Sequence, residues 1–254
     1  MEIINGHPGE FAALLTAIFW TVSALAFESA TLKFGSVAVN ILKLASGFIF
    51  LTILTYLRRG LFLPSDAGAQ NWLWLTLSGF AGFVFGDLFL FKSYAVIGSR
   101  FSMLIMTLVP PMTALFGWIM VGERLSALNL LGMTITFAGI AMAILTRDGN
   151  SNGRLVMKLE PAGILYAIGG AAGQALGLVL SKIGLKDYDP FSATQIRIIS
   201  GLAGFAILGT FMKRWKHVAD AVTDRNGIKS ILLGSFFGPF LGVSFALISV
   251  KFTK

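Results

Sequence analysis

Four ionisable residues fall inside long apolar runs of this 254-residue chain: Lys43, Asp87, Lys92 and Arg197. A charge in hydrocarbon costs at least ~2.5–3.5 kcal/mol on insertion scales, so such residues mark sites unless they reach water. Lys43 and Arg197 each stand six residues after the start of an apolar run. At 1.5 Å per residue that is roughly 9 Å into a helix. A long cation at this depth can snorkel to the headgroups, or it can face a cavity and hold an anionic group such as a carboxylate. Asp87 lies deep in its run, where so short a side chain cannot reach water; it can pair with Lys43 or take up and release a proton. Lys92, about 140° around the helix from Asp87, cannot share its face and is expected to anchor the helix at the interface.

Other polar and helix-breaking residues complete the set. Gln174 can bond a ligand or simply a neighbouring helix. Glu28 ends the first apolar run and can be a solvated terminus or a gate. Glu123 ends the fourth and is expected to clamp a nearby Arg or backbone group, within a structural motif of Gly122, Glu123 and Arg124. Pro110 and Pro111, and Gly238 with Pro239, interrupt runs that are otherwise helical. Proline removes a donor and frees a carbonyl, which suits a bend, hinge or cavity wall. Gly169, Gly170, Gly173 and Gly177 form a small-residue face expected to pack closely against another helix. The candidate substrate-binding residues are therefore Lys43, Arg197, Asp87 and Gln174, and the candidate gates or hinges are Glu28, Pro110, Pro111, Gly238 and Pro239.

These residues need helices in lipid to position them. Hydrophobic residues make up 56% of the chain and charged ones 13%, about half of what a soluble domain carries. Mean hydropathy is +0.79. There is no cysteine, which excludes disulfides, thiolate metal sites and cysteine nucleophiles. The two histidines, His7 and His217, lie in polar flanks, so neither a histidine triad nor a metal site can form in the apolar runs. No phosphate loop or nucleophile elbow is present, which leaves an integral membrane enzyme little to work with. The net charge of +8 sits mostly in short connections between apolar runs, where lipid headgroups suffice as partners and nucleic acid is not needed.

Runs near 20 residues predict eight spans: Phe11–Phe27, Val37–Leu57, Trp72–Phe91, Phe101–Val121, Leu128–Leu145, Gly163–Leu180, Phe191–Met212 and Ile231–Val250. The fold class is all-α integral membrane. Glu2 and Glu10, with no Lys or Arg among the first ten, are the reverse of a signal peptide, so the first span is expected to be retained.

The pattern occurs twice. Lys43, Ser46 and Gly47 recur as Arg197, Ser200 and Gly201, an offset of 154. Phe80, Gly82, Gly86, Phe89 and Ser93 recur as Phe236, Gly238, Gly242, Phe245 and Ser249, an offset of 156. Ala12 and Ala17 recur as Ala162 and Ala167, an offset of 150. Asp87 has Val243 as its counterpart. Residues 1–147 form a first repeat of five helices, 148–160 a connecting loop, and 161–254 a second repeat of three helices. Five is odd, so the second unit enters the membrane with the opposite polarity, as in alternating-access carriers. A complete second copy needs two more spans, which predicts that the eight seen here belong to a ten-span protein.

The run GDLFLFKSYAVIGSRFSMLIMTLVPPMTALFGWIMVGERLSALNLLGMTITFAGIAMAI from Gly86 to Ile144 carries a resemblance. Its mid-helix proline, the Gly122-Glu123-Arg124-Leu125-Ser126 end and the following Gly132 and Gly139 resemble an EamA domain of the drug/metabolite transporter superfamily. The resemblance covers the whole first unit and three helices of the second. It implies two inverted EamA repeats, no cofactor, and export or exchange of small metabolites, often amino acids, across the bacterial inner membrane. The expected partners are the bilayer, a small-molecule substrate and a coupling proton or ion; a homodimer is allowed. A non-transporting membrane subunit is the competing reading.

The family usually places its N-terminus in the cytoplasm. That side then holds seven basic residues: Arg58, Arg59, Arg124, Lys182, Lys186, Lys251 and Lys254. The other holds eleven, many of them in the loop Lys213–Lys229. The positive-inside rule leans towards an outside N-terminus.

Overall fold

Apolar runs of this length can satisfy their backbone groups without water only by coiling, and coil they do. The computed structural model describes residues 8–124, 126–147, 155–157 and 159–252. The expectations resting on Glu2, His7, Leu125, Arg154, Lys158 and Lys254 lie outside them, as does most of the connecting loop. In chain order the elements are α1 (Pro8–Phe34), α2 (Ser36–Arg59), α3 (Ala69–Gly79), a π-helical turn (Phe80–Asp87), α4 (Leu88–Met106), α5 (Val109–Val121) and α6 (Ala127–Ile144). The second half holds α7 (Pro161–Leu185), α8 (Pro190–Phe211), the short α9 (Trp215–Thr223), α10 (Arg225–Ser235), a second π-helical turn (Phe236–Gly242) and α11 (Val243–Phe252). Between the halves, Leu145–Arg147 and Leu155–Met157 pair as a small antiparallel ladder. Six stretches are long and apolar enough to cross a membrane, and Val109–Val121 and Ala127–Met142 are shorter apolar helices.

The repeat is visible in the backbone. Both halves carry a π-helical turn at the same place in their third span, Phe80–Asp87 and Phe236–Gly242. Each turn lies on the first helix of the other half. A Cβ on Gly173 would stand 2.6 Å from the Gly86 Cα, and one on Gly177 2.9 Å from the Gly82 Cα. Moving along α7 from Gly163 to Gly184, the partners run backwards from Ile97 to Leu75, so the two helices are antiparallel. The second seam is antiparallel too: Gly227, Gly234 and Gly238 meet Phe34, Phe27 and Ser23 of α1. Within one unit the first and third spans run in the same direction. Antiparallel pairing between units therefore means that the units are inverted. The seams also correct the offset in the first helix. Gly86 meets Gly173 where Gly242 meets Phe19, so Phe19 corresponds to Gly173, an offset of 154 rather than 150.

Two expected elements differ. α4 folds back at Gly98, whose φ of +76° and ψ of 162° only glycine adopts readily. Ser93 and Ser102 hydroxyls lie 2.7 Å apart across this reversal, whereas a straight helix would separate them by roughly 13 Å. The fourth span thus begins at Ser99. It is interrupted at Thr107 and Leu108, before the prolines; Pro110 and Pro111 sit in the first turn of α5, where a missing N–H is tolerated.

Polar residues gather at the two ends of the bundle. At one end Asp66 accepts from Arg59 and, at 2.8 Å, from the Tyr188 hydroxyl, while Arg59 Nη1 lies 2.6 Å from Ser192 Oγ. Lys251 donates to the Tyr188 carbonyl at this same end. At the other, Lys33 meets Asp224 at 2.6 Å. Burial would raise the Asp66 pKa, but the bonds from Tyr188 and Arg59 hold it below the ordinary carboxylate range. A depressed pKa gives stability that is present above the unfolded value, about 3.9, and is lost as pH falls through the folded one. The thermal midpoint of the protein in detergent should therefore drop more steeply below about pH 4 than that of Asp66→Asn. Gly173→Leu should cost at least about 1–3 kcal/mol by forcing the seam apart. Gly132→Leu, with nothing within 4 Å of its Cβ position, should be near neutral by the same measurement.

Candidate functional site

The centre of the molecule is a polar cluster shared by the two units. Lys43 on α2 is 1% exposed and Asp87, the last residue of the first π-turn, 0%. Lys43 Nζ donates to Asp87 Oδ2 and, at 3.3 Å, to Asn40 Oδ1. The rings of Phe91, Phe27 and Phe83 stand 4.7, 5.6 and 5.7 Å from the ammonium, an aromatic enclosure that replaces water around the cation. Gln174 Nε2 of α7 donates to the other carboxylate oxygen, Asp87 Oδ1, at 2.7 Å, and to the Gly82 carbonyl at 3.2 Å. The close seam at Gly173 and Gly177 is what brings so short an amide within reach. Asp87 thereby binds its own unit through Lys43 and the opposite unit through Gln174.

Arg197 on α8 is also buried, at 3% exposure, but its surroundings differ. Its guanidinium lies over the Phe83 ring at 4.9 Å. Among the described residues it forms no hydrogen bond or ion pair, and Nε is shielded without a partner. Neither cation snorkels. Of the two expected to face a cavity, Arg197 lines one of about 540 Å³, together with Gln174, Trp20 and Pro110. Lys43 and Asp87 are not among its lining residues; they are bonded to each other.

Glu28 is a correction. The first helix does not end there but continues to Phe34, and the carboxylate is not simply solvated. Its oxygens accept from Ser99 N at 3.1 Å and Ser99 Oγ at 2.6 Å. A side chain of α1 thus caps the helix that starts after the Gly98 reversal, tying the first span to the fourth. Glu123 is held by Lys182 of α7 at 2.5 Å, not by an Arg. Gly122 is the left-handed cap of α5, and Arg124 is exposed with no partner among the described residues. Gly238 abuts Ser23, and a Cβ on Gly47 would be 3.0 Å from Pro239. Lys92 lies 5.6 Å from the rings of both Phe89 and Tyr166.

With this geometry in place, kinship can be judged. The sequence profile of the EamA-like transporter family matches residues 7–145 and again residues 161–254. The chain belongs to the EamA-like transporter family. A relative from Bacillus subtilis (strain 168), the uncharacterized transporter YxxF, is 24% identical over 156 residues, covering 59% of this chain and 49% of its own. The chain thus spans about half the length of the curated relative it matches. A crystal structure of another protein aligns over 93% of this chain and 84% of its own at 19% identity, with a TM-score of 0.45, too weak a likeness to bear on the fold. Membership in this family, with six helices among the described residues long and apolar enough to cross a membrane, makes this a multi-pass membrane protein.

Three participants escaped the sequence reading. Trp20 resembles any other aromatic in a span, Ser99 any small residue at a loop, and Phe83 any core residue; only the offset of 154 in the first helix pairs Trp20 with Gln174. The buried pair in this EamA protein has a measurable signature. Lys43→Met or Asp87→Leu alone leaves an uncompensated charge and should each cost about 3–5 kcal/mol of unfolding free energy. Together the two should recover most of that loss, a coupling that a double-mutant cycle in detergent reads directly.

Proposed function

We propose that the protein is a secondary transporter of the bacterial inner membrane that moves small polar metabolites, amino acids and their relatives among them, by alternating access. The observation that carries this reading is the bond from Gln174 to Asp87, made across the junction of two inverted units beside a cavity. Rocking of one unit against the other must lengthen or exchange that bond. A proton arriving on Asp87 would loosen Lys43 as well, so Asp87 is the place where a coupling proton acts. Arg197 and Gln174 receive the substrate; Lys43 holds Asp87 ready. The bends at Thr107, Pro110 and Pro111 and at Gly238 and Pro239 let the cavity walls move, and the Glu28 bond to Ser99 latches the fourth span to the first.

The test is a metabolite profile of the medium around cells expressing the protein, compared with Lys43→Gln and Arg197→Gln at matched membrane levels. A compound enriched by the unmodified protein should lose its enrichment in either variant, while both still insert. Normal enrichment in the double variant would sink the assignment of these residues.

A further inference from the structure

The inversion of the units gives every central residue a counterpart. The seams set the correspondence: Gly82 against Gly177 answers Gly238 against Ser23, and Gly86 against Gly173 answers Gly242 against Phe19 and Trp20. By these steps Lys43 corresponds to Arg197, Asp87 to Val243, and Gln174 to Trp20. The first set is closed on itself, with the cation bonded to the carboxylate and the carboxylate to the amide. The second set has a cation, no carboxylate, and an indole where the amide would be. All three of its members, Arg197, Val243 and Trp20, line the cavity.

We infer that the cavity takes a small monocarboxylate with a compact apolar body, whose carboxylate meets Arg197 as Asp87 meets Lys43. This rests on the transporter reading and narrows its substrate class. Asp87 acts on Arg197 electrostatically but is bonded to Lys43, so the buried guanidinium has no ion pair of its own, and its planar fork fits two carboxylate oxygens side by side. Val243 leaves the space that the carboxylate needs. The cavity walls are mostly apolar, with Met103, Met106 and Leu178 among them, and Thr16, Thr21 and Thr107 carry hydroxyls there. Among the described residues no Asp or Glu lines the cavity, so an organic cation finds no counter-charge from them there. A second carboxylate on the ligand would be buried unpaired. A zwitterionic amino acid with an apolar side chain is acceptable, since hydroxyls and an indole face can receive its ammonium.

The experiment uses the purified protein in lipid nanodiscs and three probes of one shape: isocaproate, isocaproamide and isopentylammonium. Isocaproate should bind saturably by calorimetry, the amide at least about tenfold more weakly, and the ammonium not measurably. Val243→Asp supplies Arg197 with the internal counter-ion that Lys43 already has, and should weaken isocaproate at least about tenfold. Val243→Asn, of the same size without the charge, should keep binding within a few-fold. Equal binding of acid and amide, undiminished binding to Val243→Asp, or no binding of isocaproate at millimolar concentration would each overturn the inference. If Val243→Asp does not fold, the acid–amide comparison on the unmodified protein decides alone. Flux of radiolabelled leucine in proteoliposomes separates the two readings. Flux that persists without carboxylate-selective binding removes this inference and leaves a transporter. Selective binding with no flux of any bound probe removes the transporter reading and leaves the site.

Discussion

A carboxylate without access to water has to find its hydrogen bonds in protein, and Asp87 finds them on two elements of opposite polarity. Lys43 satisfies one oxygen from within the first unit, and Gln174 satisfies the other from the second. Meeting both conditions constrains much of the centre. α2 must present Lys43 towards the third span, the π-turn must end with Asp87 turned inward, and α7 must come close enough for an amide to reach. In the low-dielectric interior such a pair adds little net stability over apolar packing, because desolvation offsets attraction. Its value lies in specifying how the units meet, since any other arrangement strands a charge.

Close approach is what makes that arrangement attainable. Lipid tails are as apolar as leucine, so helices in a membrane gain little from burying oily surface and associate through packing and hydrogen bonds instead. Gly82 and Gly86 against Gly173 and Gly177 let two backbones come nearly into contact, and the Ser78 hydroxyl then reaches the Gly177 carbonyl at 2.6 Å. The other seam is as tightly filled but with side chains, glycines on one side and Phe27, Ser23 and Trp20 on the other. The cavity is lined more by α1, through Ala13, Thr16, Ala17, Trp20 and Thr21, than by α7, which adds Gln174 and Leu178. Where glycine faces glycine there is no space left; where a glycine helix meets large side chains, a shift of one rotamer opens or fills it.

Asymmetry between inverted copies is thus concentrated at a few positions. An acid in one unit is a valine in the other, and an amide is an indole. The closed copy forms an internal ion pair, and the open one leaves a guanidinium stacked on Phe83 at the cavity wall. Two inverted units with a matching π-helical turn thereby serve different ends, one bonding across to its partner unit and one presenting a charge with no ion pair of its own.

Much of this was legible in the residues themselves. Apolar run length announces helices because backbone groups in lipid admit no other solution, and the recurrence of Gly82 and Gly86 as Gly238 and Gly242 announces a second unit. An odd number of spans per unit dictates inversion. Charges at Lys43, Asp87 and Arg197 stood out because lipid makes them expensive, and Gly173 and Gly177 because only a close neighbour needs such a face. Tertiary structure alone decided which charge pairs with which, since Lys43, Asp87 and Gln174 come from three helices up to 131 residues apart in the chain. It placed Glu28 on Ser99, because the reversal at Gly98 depends on one backbone torsion that leaves no periodic trace. It chose Trp20 as the counterpart of Gln174 through a one-turn difference in helix register that loop lengths conceal. Periodicity records which face of a helix is apolar; it does not record how far that helix slides along its neighbour, and the site is built from that sliding.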